Sequence, residues 1–269
     1  MLLRFFTLTY AVTWILFGGA AWMAGRWAGA SPNLLAQLFV PGAFGPALVA
    51  IWLTHRAEGR PGLRALLGPV LRADVPGLWY LFAVTYLVTI KLTVAVVHRV
   101  ALGAWPRFGG ESLALIAVAV VISTPFQAGE EVGWRGFALR RMADRMGLRW
   151  ASVVLGVIWA AWHLPLFFIP VTDTYHQSFP LYLLQVTALS VAAAWLWERT
   201  GRSLLLVMLM HSAVNQTLGI VPSAGAPGSN PFTARPTTVG LLTVTLLWAC
   251  AGYFLARMPG PERRAQAAA

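Results

Sequence analysis

The sequence predicts an all-α, polytopic membrane protein of about eight transmembrane helices, a single domain over residues 1–269. Three observations carry that expectation. Hydrophobic residues make up 58% of the chain and charged residues only 11%, with a mean hydropathy of +0.67. Soluble domains carry about a quarter charged residues. Several apolar runs approach or exceed the roughly 20 residues that cross a bilayer as a helix. Arginines then gather in alternate loops between those runs, as they do where charge sets membrane topology.

In chain order the predicted spans are about 5–25, 34–54, 78–98, 112–140, 149–169, 180–198, 203–221 and 237–257. The first has no small-residue cleavage site after a short apolar core, so a retained helix is expected there and not a signal peptide. The longest polar insertions are 55–77 and the Gly/Pro/Ser-rich 222–236. Within the first, "RPGLRALLGPVLR" (60–72) alternates Arg with Leu. It reads either as a short amphipathic element in the headgroup layer or as a solvated basic loop. No soluble domain fits between the spans, and no internal repeat is evident.

A net charge of +11 raises the question of nucleic acid. The position of the charge argues against it. With the N-terminus in the cytoplasm, fifteen of the nineteen Arg fall on the cytoplasmic side and four (Arg26, Arg99, Arg107, Arg235) on the other. That asymmetry predicts eight spans with both termini inside. Trp22, Trp27, Trp79, Trp105 and Trp150 fall near span ends, where aromatic anchors sit. Cys250 is the single cysteine, which excludes an intrachain disulfide and a paired-thiol metal motif. The preference for Arg over Lys suggests a GC-rich, bacterial genome and hence a plasma-membrane location.

An ionisable group within a span is costly and marks function by default. Four places qualify: Glu130 and Glu131 with Arg135, His163, His211 with Asn215, and Lys91. Depth, taken at about 1.5 Å per residue from the nearest cytoplasmic Arg, puts Glu130 about 15 Å in, His163 about 21 Å, and His211 and Asn215 about 14 and 20 Å. Three helices thus bring polar residues to one level. Glu131 and Arg135, four apart, form a pair on one helix face. Glu130 is turned about 100° away, without that partner, and is free to take a proton from water. His211 and Asn215 share a face, and both can donate to a developing oxyanion. Pro125 and Pro165 break the helices beside the acids and beside His163, and broken helices at depth line water-filled cavities. Taken singly, His163 reads as a hydrogen-bonded core histidine, and His211 with Asn215 as interhelical hydrogen bonding. Lys91 lies seven residues from His98, so its stem is expected to snorkel to the outer interface. His55, His98 and His176 sit near span ends and read as ordinary.

The three motifs together, Glu130-Glu131-x-x-x-Arg135, Trp159-x-x-x-His163 and His211-x-x-x-Asn215, resemble those of the CAAX prenyl protease and bacteriocin-processing family of intramembrane proteases. The likeness covers about 125–216, departs at Trp159 where the family usually has Phe, and sets the catalytic core at about 111–221. It implies peptide hydrolysis of a membrane-bound peptide or protein, lipidated or cut near its C-terminus, at an active site opening to the cytoplasm. By resemblance Glu130 and His163 activate water, His211 and Asn215 steady the oxyanion, and Glu131 and Arg135 hold the site together. Glu130, His163 and His211 also make a plausible three-ligand zinc set with an open fourth position, with Glu131 then available as base, although the metal-free mechanism is favoured. Against zinc, the sequence has no HExxH. The bilayer is the one other partner expected. Two rival classes stand beside the protease: an immunity or binding protein keeping the fold, and a transporter using the acids and histidines as a proton relay. Missing Glu130 or His163 would favour the first, and both are present. An internal repeat would favour the second.

Overall fold

In the computed structural model, residues 1–26, 31–175, 177–223 and 230–258 are described, with backbone alone for Pro32, Leu38 and Phe39. Trp27, His176, Arg263 and Arg264 lie outside the described residues. Among the described residues every regular element is helical. The helices are α1 (Leu2–Arg26), α2 (Pro32–Gly42), α3 (Gly45–Leu67), α4 (Gly77–Leu102), α5 (Leu113–Ser123), α6 (Ala128–Glu131), α7 (Arg140–Trp162), α8 (Phe179–Arg199), α9 (Leu204–Thr217) and α10 (Thr238–Arg257). A π-helical segment, Val132–Leu139, joins α6 to α7. Six described stretches are long and apolar enough to cross a membrane, and Leu204–Ile220 is a shorter apolar helix. The chain is an all-α polytopic membrane protein, as its composition predicts.

The predicted spans survive with three changes, each with a local cause. The span at 34–54 is two helices, because Pro41 and Pro46 flank a break at Ala43 and Phe44. The insertion at 55–77 is helical as far as Leu67 and then turns through a 3-10 segment, Gly68–Leu71. Within 60–72 Leu66 is buried, while Arg60, Arg64, Leu67 and Leu71 are exposed. The third change is continuity. The helical run does not stop between the predicted fourth and fifth spans. It turns at Gly147, whose φ of 77° is a left-handed conformation that suits only glycine.

Cross-links between distant segments define two ends of the bundle. One end joins Glu58 to Arg141 (2.6 Å), Arg72 to Gly201, and Arg149 to the Met258 carbonyl (2.9 Å). The other joins Gly109 to Ile220 (3.1 Å), Phe179 to Pro231 (2.9 Å) and Lys91 to Val221 (3.0 Å). The Arg-rich loops all belong to the first end, apart from Arg135, which is buried inside the bundle.

Candidate active site

The helix that carries the acids is broken where Pro125 predicts. α5 stops at Ser123, Thr124–Gln127 is a 3-10 turn, and α6 holds Glu130 and Glu131. The π segment that follows is of a kind that occurs mostly at functional sites. Glycine lets a neighbour close in on it. A Cβ at Gly133 would lie 2.5 Å from Pro46 Cβ and 2.6 Å from the Pro46 backbone, and one at Gly129 would lie 2.9 Å from Phe44. The start of α3 thus presses directly on the acidic turn, and Ala43 reaches the cavity beside it.

Glu131 faces inward. Both its oxygens accept from Arg135 Nη1, at 2.8 and 3.1 Å, and Oε1 also accepts from His211 Nδ1 at 2.8 Å. Arg135 lies wholly buried with its guanidinium 4.1 Å from the centre of the Trp159 ring, a cation–π contact. The predicted pair is therefore a trio drawn from two separate helical segments. Because His211 donates from Nδ1, its neutral form presents Nε2 as an acceptor; to donate from Nε2 it must be charged, and Glu131 is the anion placed to balance that charge.

Glu130 faces the other way, into a cavity of about 400 Å³ whose walls include His163, Tyr182, His211 and Asn215. It is not without a partner, as the sequence suggested: Trp159 Nε1 donates to Oε2 at 2.7 Å. The same residue holds the histidine. His163 Nδ1 donates to the Trp159 carbonyl at 2.8 Å, which leaves Nε2 free for the cavity. Trp162 and Tyr182 pack edge-on against the imidazole at 4.7 and 5.6 Å. α7 ends at Trp162, and Leu164–Phe168, containing Pro165, is a 3-10 turn, so His163 sits at the break. α1 clamps that end, with Trp14 Nε1 donating to the Trp162 carbonyl at 3.0 Å and Tyr10 to that of Ile158 at 2.5 Å. Asn215 is exposed on the cavity wall.

All six predicted residues thus meet at one place, in two layers. Sequence reading missed the part played by Trp159, although the indole at that position was the one visible departure from the family pattern. It also misplaced Lys91. That side chain is fully buried and donates to the Val221 carbonyl (3.0 Å) and to Ser223 Oγ (2.5 Å), far from any snorkelling position. The zinc set does not assemble: among the described residues no three His, Cys, Asp or Glu side chains come together as metal ligands. One ring nitrogen of each histidine is committed elsewhere.

The fold and the site together define a polytopic membrane protein with a carboxylate, histidine and arginine centre buried between its helices. Residues 110–217 match the model of the family described as Type II CAAX prenyl endopeptidase Rce1-like. The chain is also similar to a protein named CAAX prenyl protease 2 from Methanococcus maripaludis, at 21% identity over 222 residues, covering 78% of this chain and 81% of that protein. The likeness read from the three motifs holds: the part of the chain that carries them matches that family's model, and the similarity to the Methanococcus protein extends well beyond it.

Proposed function

We propose that the chain is an intramembrane endopeptidase in which Glu130 and His163 activate water. The observation that supports this most directly is that the open edge of Glu130 and the free Nε2 of His163 face one cavity, each held from behind by Trp159. Glu130 takes a proton from water as the oxygen attacks the scissile carbonyl carbon. The negative charge that forms on the carbonyl oxygen is met by the Asn215 amide and by charged His211. The C–N bond then breaks as the proton passes to the departing nitrogen. Glu131 and Arg135 hold His211 and the Trp159 ring in register. No step is routed through a metal.

The substrate is a membrane-associated peptide or protein, lipidated or cut near its C-terminus, as the name of the Methanococcus relative suggests for that protein. The chain resides in a bacterial plasma membrane with both termini in the cytoplasm, a reading supported by the Arg-rich end of the bundle. The test is product analysis. Wild type and Glu130→Gln, purified in detergent, are incubated with membrane peptides, one of them farnesylated at a C-terminal Cys-containing motif, and examined by mass spectrometry. New termini with wild type alone are expected. Equal cleavage by Glu130→Gln would remove Glu130 from the reaction; no cleavage by either would favour an immunity or binding role.

A further inference from the structure

Beside the Glu130 cavity lies a second one of about 270 Å³, walled by Lys91, Asp173, Gln177, Gln185, Asn215 and Gln216 among others. The two share Asp173, Gln177, Asn215, Gln216 and Leu218, so they adjoin along a common wall. Four of its named walls are carboxamides. Each carries both a donor and an acceptor, the pairing that an extended peptide backbone needs and a hydrocarbon chain cannot use. Gln185 is the most telling. It is only 5% exposed, lines this space and makes no hydrogen bond to another described residue. Its amide is open to the space, so whatever fills that space meets both its donor and its acceptor. The ammonium of Lys91 is already taken by Val221 and Ser223, and the one acid, Asp173, is exposed at the rim.

The space also has a direction. Its walls come from residues 171–174 and 177, from the C-terminal half of α4 and from the far end of α9. All of these belong to the end of the bundle that Lys91–Val221 and Gly109–Ile220 define, opposite the Arg-rich end. The entrance therefore faces away from the cytoplasm wherever the Arg-rich end faces it. This reverses the cytoplasmic opening that the family resemblance implies.

We propose that the carboxamide-lined space is a binding vestibule for extended polypeptide arriving from the non-cytoplasmic face, which passes it to the Glu130 cavity. The proposal rests on the reading of that cavity as the reaction site, and restricts its substrates to peptide segments exposed outside the cytoplasm.

The full chain tests it in cells, on a Cys250→Ser background. Asp173→Cys places a thiol at the rim and Asp144→Cys one at the Arg-rich end, both exposed positions. A membrane-impermeant maleimide on intact cells is expected to label Asp173→Cys, and Asp144→Cys only after permeabilisation. The reverse pattern overturns the entry face. In isolated membranes, an acetylated and amidated oligoalanine is then expected to slow labelling of Asp173→Cys several-fold, and Gln185→Leu to abolish that protection. Equal labelling rates with and without the peptide overturn the vestibule. Gln177→Cys repeats both arms should Asp173→Cys fail to accumulate. Labelling needs no turnover, so the product analysis of Glu130→Gln can fail while this holds, and the converse.

Discussion

Glu130 and Glu131 are neighbours in the chain and opposites in surroundings. Glu131 is sealed between Arg135 and His211, with every contact charged or charge-assisted. Glu130 has one neutral donor, Trp159, and otherwise meets the cavity. One residue of helix rotation, about 100°, separates a sealed carboxylate from an open one. The comparison teaches that the oily bundle tolerates two adjacent acids because only one of them must be neutralised within the protein. Trp159 is the wall between them: its ring carries Arg135 on one side and its N–H holds Glu130 on the other.

Five substitutions break or sharpen this contrast. The largest effect on turnover is expected at the open side: Glu130→Gln and His163→Ala abolish product formation in the mass-spectrometric assay while the melting temperature in detergent stays near that of wild type. A Glu130→Gln protein that unfolds would make the open acid structural as well. Arg135→Met strikes the sealed side. It leaves Glu131 buried against His211 alone and is expected to cost about 3–5 kcal/mol of stability, read as a lowered denaturation midpoint. Asn215→Ala, on the exposed wall, is expected to slow turnover by roughly 10²–10³ with no change in stability, since in the proposed reaction it removes one oxyanion donor. Smallest is Trp159→Phe. It keeps an aromatic face under Arg135 and removes only the N–H, so a loss of about tenfold in kcat with an unchanged melting temperature is expected. A fall in stability to match would mean that the indole acts by packing.

The candidate site was legible because its residues are expensive where they sit. A carboxylate or histidine within an apolar run shows at once, and helix geometry then gives its depth and the face it shares with a neighbour four residues on. Glu131 with Arg135, the breaks at Pro125 and Pro165, and the common level of His163 and His211 all come from such reasoning. The bond from Glu131 to His211 does not. Periodicity places each residue on its own helix and says nothing of which helix faces it, or how closely. The glycines at 129 and 133 mark that closeness only once Phe44 and Pro46 are seen against them. Lys91 shows the same limit, since its partners lie 130 and more residues away and beyond a turn.

By itself, the sequence determined the solvent this protein folds in, its helical class, the spans within a few residues, and the set of polar groups that meet at depth. Those follow from composition, length and local geometry, each readable within a single segment. The tertiary structure decided which acid is sealed and which is open, and that one tryptophan holds both the carboxylate and the histidine. These depend on contacts between segments far apart in the chain, where the distance of closest approach is set by glycines, prolines and ring edges on both partners at once.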